Sequence, residues 1–160
     1  MTVRNECSGL AIDHVAIAVE NLDEAIEWYT ENLGFEIVER RRTQGERTAM
    51  ISAVLKLGPV IVVLIEGVDP DSQVSRFIQR FGPGVQHLAI QVPDLDKAIG
   101  GLKTATADVD IIEEPGIRQV FLRRDPGSGV RVELIERRGG NFSDRSVERL
   151  FRALEEKDLV

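Results

Sequence analysis

The chain holds two histidines, His14 and His87, and each lies in the same local context. Ile12-Asp13-His14-Val15-Ala16-Ile17-Ala18-Val19 is echoed by Val85-Gln86-His87-Leu88-Ala89-Ile90-Gln91-Val92. At the same offset, Asn21-Leu22-Asp23-Glu24-Ala25-Ile26 returns as Asp94-Leu95-Asp96-Lys97-Ala98-Ile99. A further run, Val63-Leu64-Ile65-Glu66, recurs as Glu133-Leu134-Ile135-Glu136, with Val63 standing where the second copy has Glu133. On strands, side chains two apart share a face. If the first and last strands of each copy line one cavity, His14, Val63, His87 and Glu133 meet inside it. Two neutral imidazoles and one carboxylate form the 2-His-1-carboxylate facial triad, which leaves adjacent positions open on non-heme Fe(II). A carboxylate in place of Val63 would instead suggest a four-ligand Ni, Zn or Co site. One histidine on an apolar strand is an ordinary core residue; the symmetric pair with an inward Glu133 points to metal. A lone carboxylate in a cavity is costly unless paired or metal-bound, and no lysine is placed to pair with it. Glu66 and Glu136, at the repeated strand ends, read as solvated rim residues.

The elements that must hold these residues follow from periodicity. Residues 12–19 alternate as a strand. Asn21 with Glu24 resembles a capping box that opens a helix near Leu22. Leu22, Ala25, Ile26, Tyr29 and Leu33 recur at helical spacing, and Gly34 supplies a stop. Strands at 35–41, 48–57 and 60–66 complete a βαβββ module. A polar link and a short helix to about Arg80 lead to Gly82-Pro83-Gly84, which launches the second module. Its strand is expected at 86–92 and its helix at 94–104. Three strands near 108–113, 118–124 and 130–136 follow, the last two joined through Asp125-Pro126-Gly127-Ser128-Gly129. The tail, 143–157, is an amphipathic helix. Neither module buries its sheet face alone. The expected fold is therefore α+β: two tandem βαβββ modules forming a curled half-barrel sheet around a metal cavity, with a C-terminal helix. A single domain over 1–160 would divide into module one (about 10–67), linker helix (68–83), module two (84–138) and C-terminal helix (143–157).

A net charge of −7 and a pI near 4.9 argue against a nucleic-acid partner. Hydrophobic content of 42% with 29% charged residues is that of a globular chain. The longest apolar run, Val60 to Ile65, is too short to span a bilayer, so no membrane partner is expected. A single cysteine, Cys7, excludes an internal disulfide and suits a reducing compartment. Met1-Thr2-Val3-Arg4-Asn5-Glu6 has no apolar stretch of the signal-peptide kind. The expected location is cytoplasmic.

With these residues in view the chain resembles the vicinal-oxygen-chelate (glyoxalase/bleomycin resistance/dioxygenase) superfamily. More narrowly, it is similar to the iron-binding C-terminal half of the 4-hydroxyphenylpyruvate dioxygenase and hydroxymandelate synthase family. The similarity runs from Ile12 to about Glu156. Ser72-Gln73-Val74, Gly84-Val85-Gln86-His87-Leu88-Ala89, Arg118-Gln119-Val120-Phe121 and Glu133-Leu134-Ile135-Glu136-Arg137 carry it. Gly140-Asn141-Phe142, leading to Leu150-Phe151-Arg152-Ala153-Leu154-Glu155, is its most specific passage. The resemblance implies that His14, His87 and Glu133 are catalytic iron ligands. It implies that Gln73, Gln119, Phe121, Asn141 and Phe142 stand in the pocket wall or its helical gate. The implied activity is that of an Fe(II)-dependent dioxygenase. It would take a small-molecule 2-oxo acid and O₂, decarboxylate the acid oxidatively and hydroxylate the same molecule.

Three departures bear on the substrate. The family's N-terminal half has no counterpart in this sequence. Ile65 stands where the aromatic-substrate enzymes often carry a polar residue. Arg131, on the same face as Glu133, replaces a large aromatic; its guanidinium suits a second acidic group on the substrate, or else pairs with Asp125. Two other functions stay open. One is a metal-dependent epimerase, isomerase or lyase using a carboxylate base, for which Glu66 is available. The other is a non-catalytic small-molecule-binding (resistance) protein, which has no need of the triad. Barrels of this superfamily form within one chain or across a homodimer, and two modules permit either.

Overall fold

Alternation of apolar residues along β1 (Ala11–Ala18) buries His14, Ala16 and Ala18 on one face. The equivalent strand of the second repeat, β5 (Gly84–Gln91), pairs with it antiparallel at the centre of an eight-stranded sheet. These strands belong to a computed structural model that describes residues 9–160; Cys7 and the Met1–Glu6 stretch lie outside them. Beyond β1 come β4 (Val60–Gly67), parallel to it, then β3 (Ala49–Leu57) and β2 (Glu36–Gln44). Beyond β5 come β8 (Arg131–Arg137), again parallel, then β7 (Ile117–Phe121) and β6 (Ile112–Glu114). The order β2-β3-β4-β1-β5-β8-β7-β6 runs outward from its centre identically in both directions. The sequence repeat is thus a topological repeat, and the sheet curls as a half-barrel.

The outer face is covered by α1 (Leu22–Leu33) and α3 (Leu95–Gly100). Leu22, Ile26, Leu55 and Leu64 form one cluster, and Leu95, Val120, Leu122 and Leu134 form its counterpart. Asn21 and Asp94 cap the two helices by accepting from Glu24 N and Lys97 N. Gly34 ends α1 at φ 76°, as its position predicted. Glu66 and Glu136 correct an expectation. Neither is a solvated rim residue: Glu66 Oε2 accepts from Leu22 N at 2.6 Å, and Glu136 Oε2 from Leu95 N at 2.8 Å. The last strand of each module thus supplies an anion to a helix N-terminus, where unpaired N–H groups and the dipole favour it.

Two boundaries also differ. The α3 helix stops at Gly100 instead of 104, because two glycines in succession end it at a Gly101 cap. The strand expected at 108–113 shrinks to the short β6 and an isolated bridge between Ala107 and Leu122. Asp108 still donates its N–H to Phe121 O at 2.9 Å while its side chain meets Arg131, and the ladder lapses between it and β6.

The remaining helices close the inner face. α2 (Gln73–Phe81) packs beside β4, and α4 (Asp144–Glu156) crosses from β2 to β6. Among the described residues, no helix is long and apolar enough to cross a membrane. The far end of α4 is pinned by Glu155, whose buried carboxylate accepts from Glu46 N (2.8 Å), Thr48 N (3.0 Å) and the Thr48 hydroxyl. A Cβ on Gly45 would collide with that carboxylate, so a larger residue there would displace it from its donors. Glu155→Ala leaves these donors without an acceptor. It is expected to cost about 3 kcal/mol, read as a lowered denaturant midpoint.

Candidate metal centre

The ladder between β1 and β5 is regular except at two residues. One slip lies between Ile12 and His14 and another where Ala16 faces His87 and Ile17 faces Val85, so Asp13 and Gln86 are the extra residues. A bulge re-aims the side chain it carries. Each of these residues turns to its own neighbour: His14 Nδ1 donates to Asp13 Oδ1 at 2.8 Å, and His87 Nδ1 donates to Gln86 Oε1. With both Nδ1 atoms protonated, both Nε2 lone pairs face the cavity. Arg137 fixes the first pair in turn, its Nε and Nη2 donating to Asp13 at 2.5 and 2.9 Å. Burial works to raise the Asp13 pKa and is the largest single influence. The hydrogen bonds and charge of Arg137, with His14, outweigh it and hold the carboxyl below the usual range.

The two Nε2 atoms stand 3.2 Å apart, and Glu133 Oε2 lies 3.5 Å from one and 3.4 Å from the other. Three lone-pair donors at these separations repel one another unless a cation or a proton lies between them. Metal–ligand bonds of about 2.1 Å place neighbouring donors roughly 3.0 Å apart on an octahedral face and 3.4 Å apart in a tetrahedron. The triangle therefore fits one ion bound by all three residues. Glu133 is 1% exposed, and its Oε1 has no hydrogen-bond partner among the described residues. Burial pushes its pKa up to about 7, with His14 and Arg137 pulling it down and Asp13 adding to the rise. Burial, with the charges of Arg131 and Arg124, pushes His87 down to about 3, so its imidazole is neutral and available as a ligand. Removing an outer partner of a ligating histidine typically costs 10–100-fold in metal affinity. Asp13→Ala is expected to weaken metal binding by roughly that factor, measured by competition with a chromophoric chelator.

The triad opens on a cavity of about 110 Å³, room for several waters or a small organic acid. Phe121 stacks edge-on against His87 at 4.9 Å and Phe142 against His14 at 5.6 Å. Val63, the symmetric counterpart of Glu133, also lines the cavity, as do Gln73 and, from α4, Leu150 and Phe151. Gln119 is fully buried behind the cavity wall, not in it, and neither end of its amide has a partner among the described residues. Asn141 is exposed and does not line the cavity. Arg131 is buried but pairs with Asp108 at 2.8 Å, not with Asp125, and it too stands outside the cavity wall. Asp125 instead binds the backbone and hydroxyl of Ser128. Glu133 is the one carboxylate among the described residues lining the cavity. Sequence reasoning missed Asp13, Gln86 and Arg41. The first two have a signal, since each precedes a histidine at the same repeat position; Arg41 sits in a charged run without one.

A family model described as the Glyoxalase/Bleomycin resistance protein/Dioxygenase superfamily matches residues 11–134. The 4-hydroxyphenylpyruvate dioxygenase of Caenorhabditis elegans is 29% identical over 108 residues, which cover 66% of this chain and 28% of that protein. The chain thus spans little more than a quarter of that relative's length. Methylmalonyl-CoA epimerase from Mycobacterium tuberculosis is 30% identical in a structural match with a TM-score of 0.65, covering 86% of this chain and 93% of the epimerase. A mutant of 4-hydroxymandelate synthase from Streptomyces coelicolor matches with a TM-score of 0.78 at 23% identity. That match covers 94% of this chain and 55% of the synthase, and it speaks to the fold alone.

Proposed function

The chain belongs to the glyoxalase/bleomycin resistance protein/dioxygenase superfamily, and from that premise we propose that it is a non-heme Fe(II) oxygenase acting on a 2-oxo acid. One observation carries this reading: the inward ligand set stops at three. Val63 fills the fourth symmetric position, and among the described residues no carboxylate other than Glu133 lines the cavity. A three-ligand face leaves room for a bidentate acid and O₂ side by side. An Fe(II) ion held by His14, His87 and Glu133 would supply the Lewis-acid and redox chemistry by which O₂ decarboxylates a 2-oxo acid and hydroxylates the shortened product. One oxygen atom enters the new carboxylate and the other the hydroxyl, and CO₂ leaves.

The chain's own residues supply orientation and dryness. Asp13 and Gln86 hold the imidazoles with Nε2 inward, and Arg137 keeps Asp13 ionised. Phe121, Phe142 and Val63 present apolar surface beside the ligands, while Leu150 and Phe151 of α4 cover the cavity and exclude water. Gln119, with both amide ends without a partner among the described residues and Phe121 beside it on one strand face, is suited to a polar group of the substrate if the wall shifts to admit it.

A metal-dependent epimerase is the second reading, favoured by the coverage of the methylmalonyl-CoA epimerase match. That chemistry needs a base beside the metal. Glu66, the carboxylate open to that role in the sequence, is bound to Leu22 N on the outer face. Anaerobic Fe(II) titration of metal-stripped protein, followed by O₂ uptake with a panel of 2-oxo acids, tests the proposal. Tight iron and oxygen consumption only with a 2-oxo acid would support it. Tight metal without oxygen uptake, but with solvent deuterium entering beside a substrate carbonyl, would favour the epimerase. No metal binding would overturn both and leave a binding protein.

A further inference from the structure

We propose that the cavity has a second, anion-binding pole built on Arg41, so that its substrate carries an acidic group at the end remote from the triad. The proposal takes the chelating first acid from the oxygenase reading; the second acid is argued from Arg41 itself.

Alternation along β2 puts Glu39, Arg41 and Thr43 on the inner face. Arg41 lines the same cavity as the triad, and its side chain is only 9% exposed. Directly across the ladder stands Ser52, and across from that Ile65, both in the cavity wall. Gln73 also lines the cavity, its amide donating to Phe151 O at 3.4 Å. Thr43, two residues along the same face but outside the cavity wall, has a buried hydroxyl without a partner among the described residues. Arg41 and Ser52 are thus polar members of an otherwise apolar stretch of wall, with Met50, Val54 and Ile65 beside them.

The counterions of Arg41 are unusual in their position. Its Nε donates to Asp144 at 2.7 Å, and its Nη2 donates to Glu39. Asp144 is 88% exposed and Glu39 41% exposed, so a covered cation is balanced by carboxylates standing in water. Exposed ion pairs contribute little and exchange readily. Among the described residues Nη1 has no acceptor. A ligand carboxylate reaching Arg41 from inside the cavity would meet the N–H groups of Nη1 and the second N–H of Nη2 in a sheltered, low-dielectric environment, where a charge-assisted hydrogen bond is strong. Arg40 and Arg42, by the same alternation, face away from the cavity, and Arg40 is paired with Asp23, so the cation offered inside is Arg41 alone. Arg131, the residue whose place in the sequence suggested this task, is committed to Asp108.

The test uses length-matched probes: 2-oxoglutarate and 2-oxoadipate against 2-oxopentanoate and 2-oxohexanoate. Binding is measured by calorimetry on metal-free protein and, under anaerobic conditions, on Fe(II)-loaded protein. Wild type is expected to bind the diacids at least about tenfold more tightly than the matched monoacids. Arg41→Met should erase that preference while leaving Fe(II) affinity and monoacid affinity unchanged. Asp144→Asn breaks the same tie between β2 and α4 but frees the guanidinium, so the preference should persist or grow. Equal binding of diacids and monoacids by wild type, binding of neither, or a preference that survives Arg41→Met would overturn the proposal. So would equal loss in Arg41→Met and Asp144→Asn, the mark of a merely structural tie. Failure of wild type to bind Fe(II) would count against the oxygenase reading alone, because the diacid preference is also read without metal.

Discussion

Glu133→Gln is expected to raise the melting temperature of the metal-free protein at pH 8 by roughly 6–12 °C, although it removes a proposed metal ligand. The reason is the carboxylate's surroundings: Oε2 faces two imidazole lone pairs, and Oε1 meets no donor among the described residues. Burial carries its pKa from 4.5 to about 7 on folding. A raised folded value means that the protonated carboxyl favours the fold. Its contribution is complete below pH 4.5 and is lost as pH rises to about 7, a change on the order of 3 kcal/mol. Glutamine, uncharged at every pH, escapes that loss. The melting curves of the two proteins should therefore agree near pH 4.5 and diverge to a plateau above pH 7. Added Zn²⁺ or Fe²⁺ should reverse the ranking by stabilising wild type alone. Equal melting at pH 8 without metal would show that the carboxylate imposes no such cost.

His14→Ala and His87→Ala should each weaken Fe(II) binding by at least about a hundredfold, since loss of a mere outer partner already costs 10–100-fold. Anaerobic chelator competition reads this directly. Ser52→Ala, on the same cavity wall but away from the triangle, serves as the comparison and should retain wild-type iron affinity. If either histidine variant binds iron as wild type does, the triangle is not the metal site.

Much of the architecture could be read from spacing alone. The repeat around His14 and His87 implies two equivalent strands. The pairing of Val63 with Glu133 implies which face they share, and the sheet order agrees. The features that stayed hidden depend on contacts between distant residues or on broken periodicity. Strict alternation sends Asp13 and Gln86 to the outer face; only the bulges bring them round to the histidines. Glu66 and Glu136 look like solvated strand ends until α1 and α3 lay their N-termini beside them. Arg41 is one of three consecutive arginines, and nothing local separates the one that turns inward from its neighbours. Arg131 has the right parity, but the loop carrying Asp108, read as a strand, folds back to claim it.

The central pairing of β1 with β5 has a further consequence. His14 comes from the first repeat, His87 and Glu133 from the second, and neither repeat contains the whole triangle. The constellation comes into being only when both halves have folded and joined in the correct register. A nascent or half-folded chain offers at most two of the three donors, so any reactivity that depends on all three is withheld until assembly is complete. The seam thus ties completion of the triangle to completion of the fold.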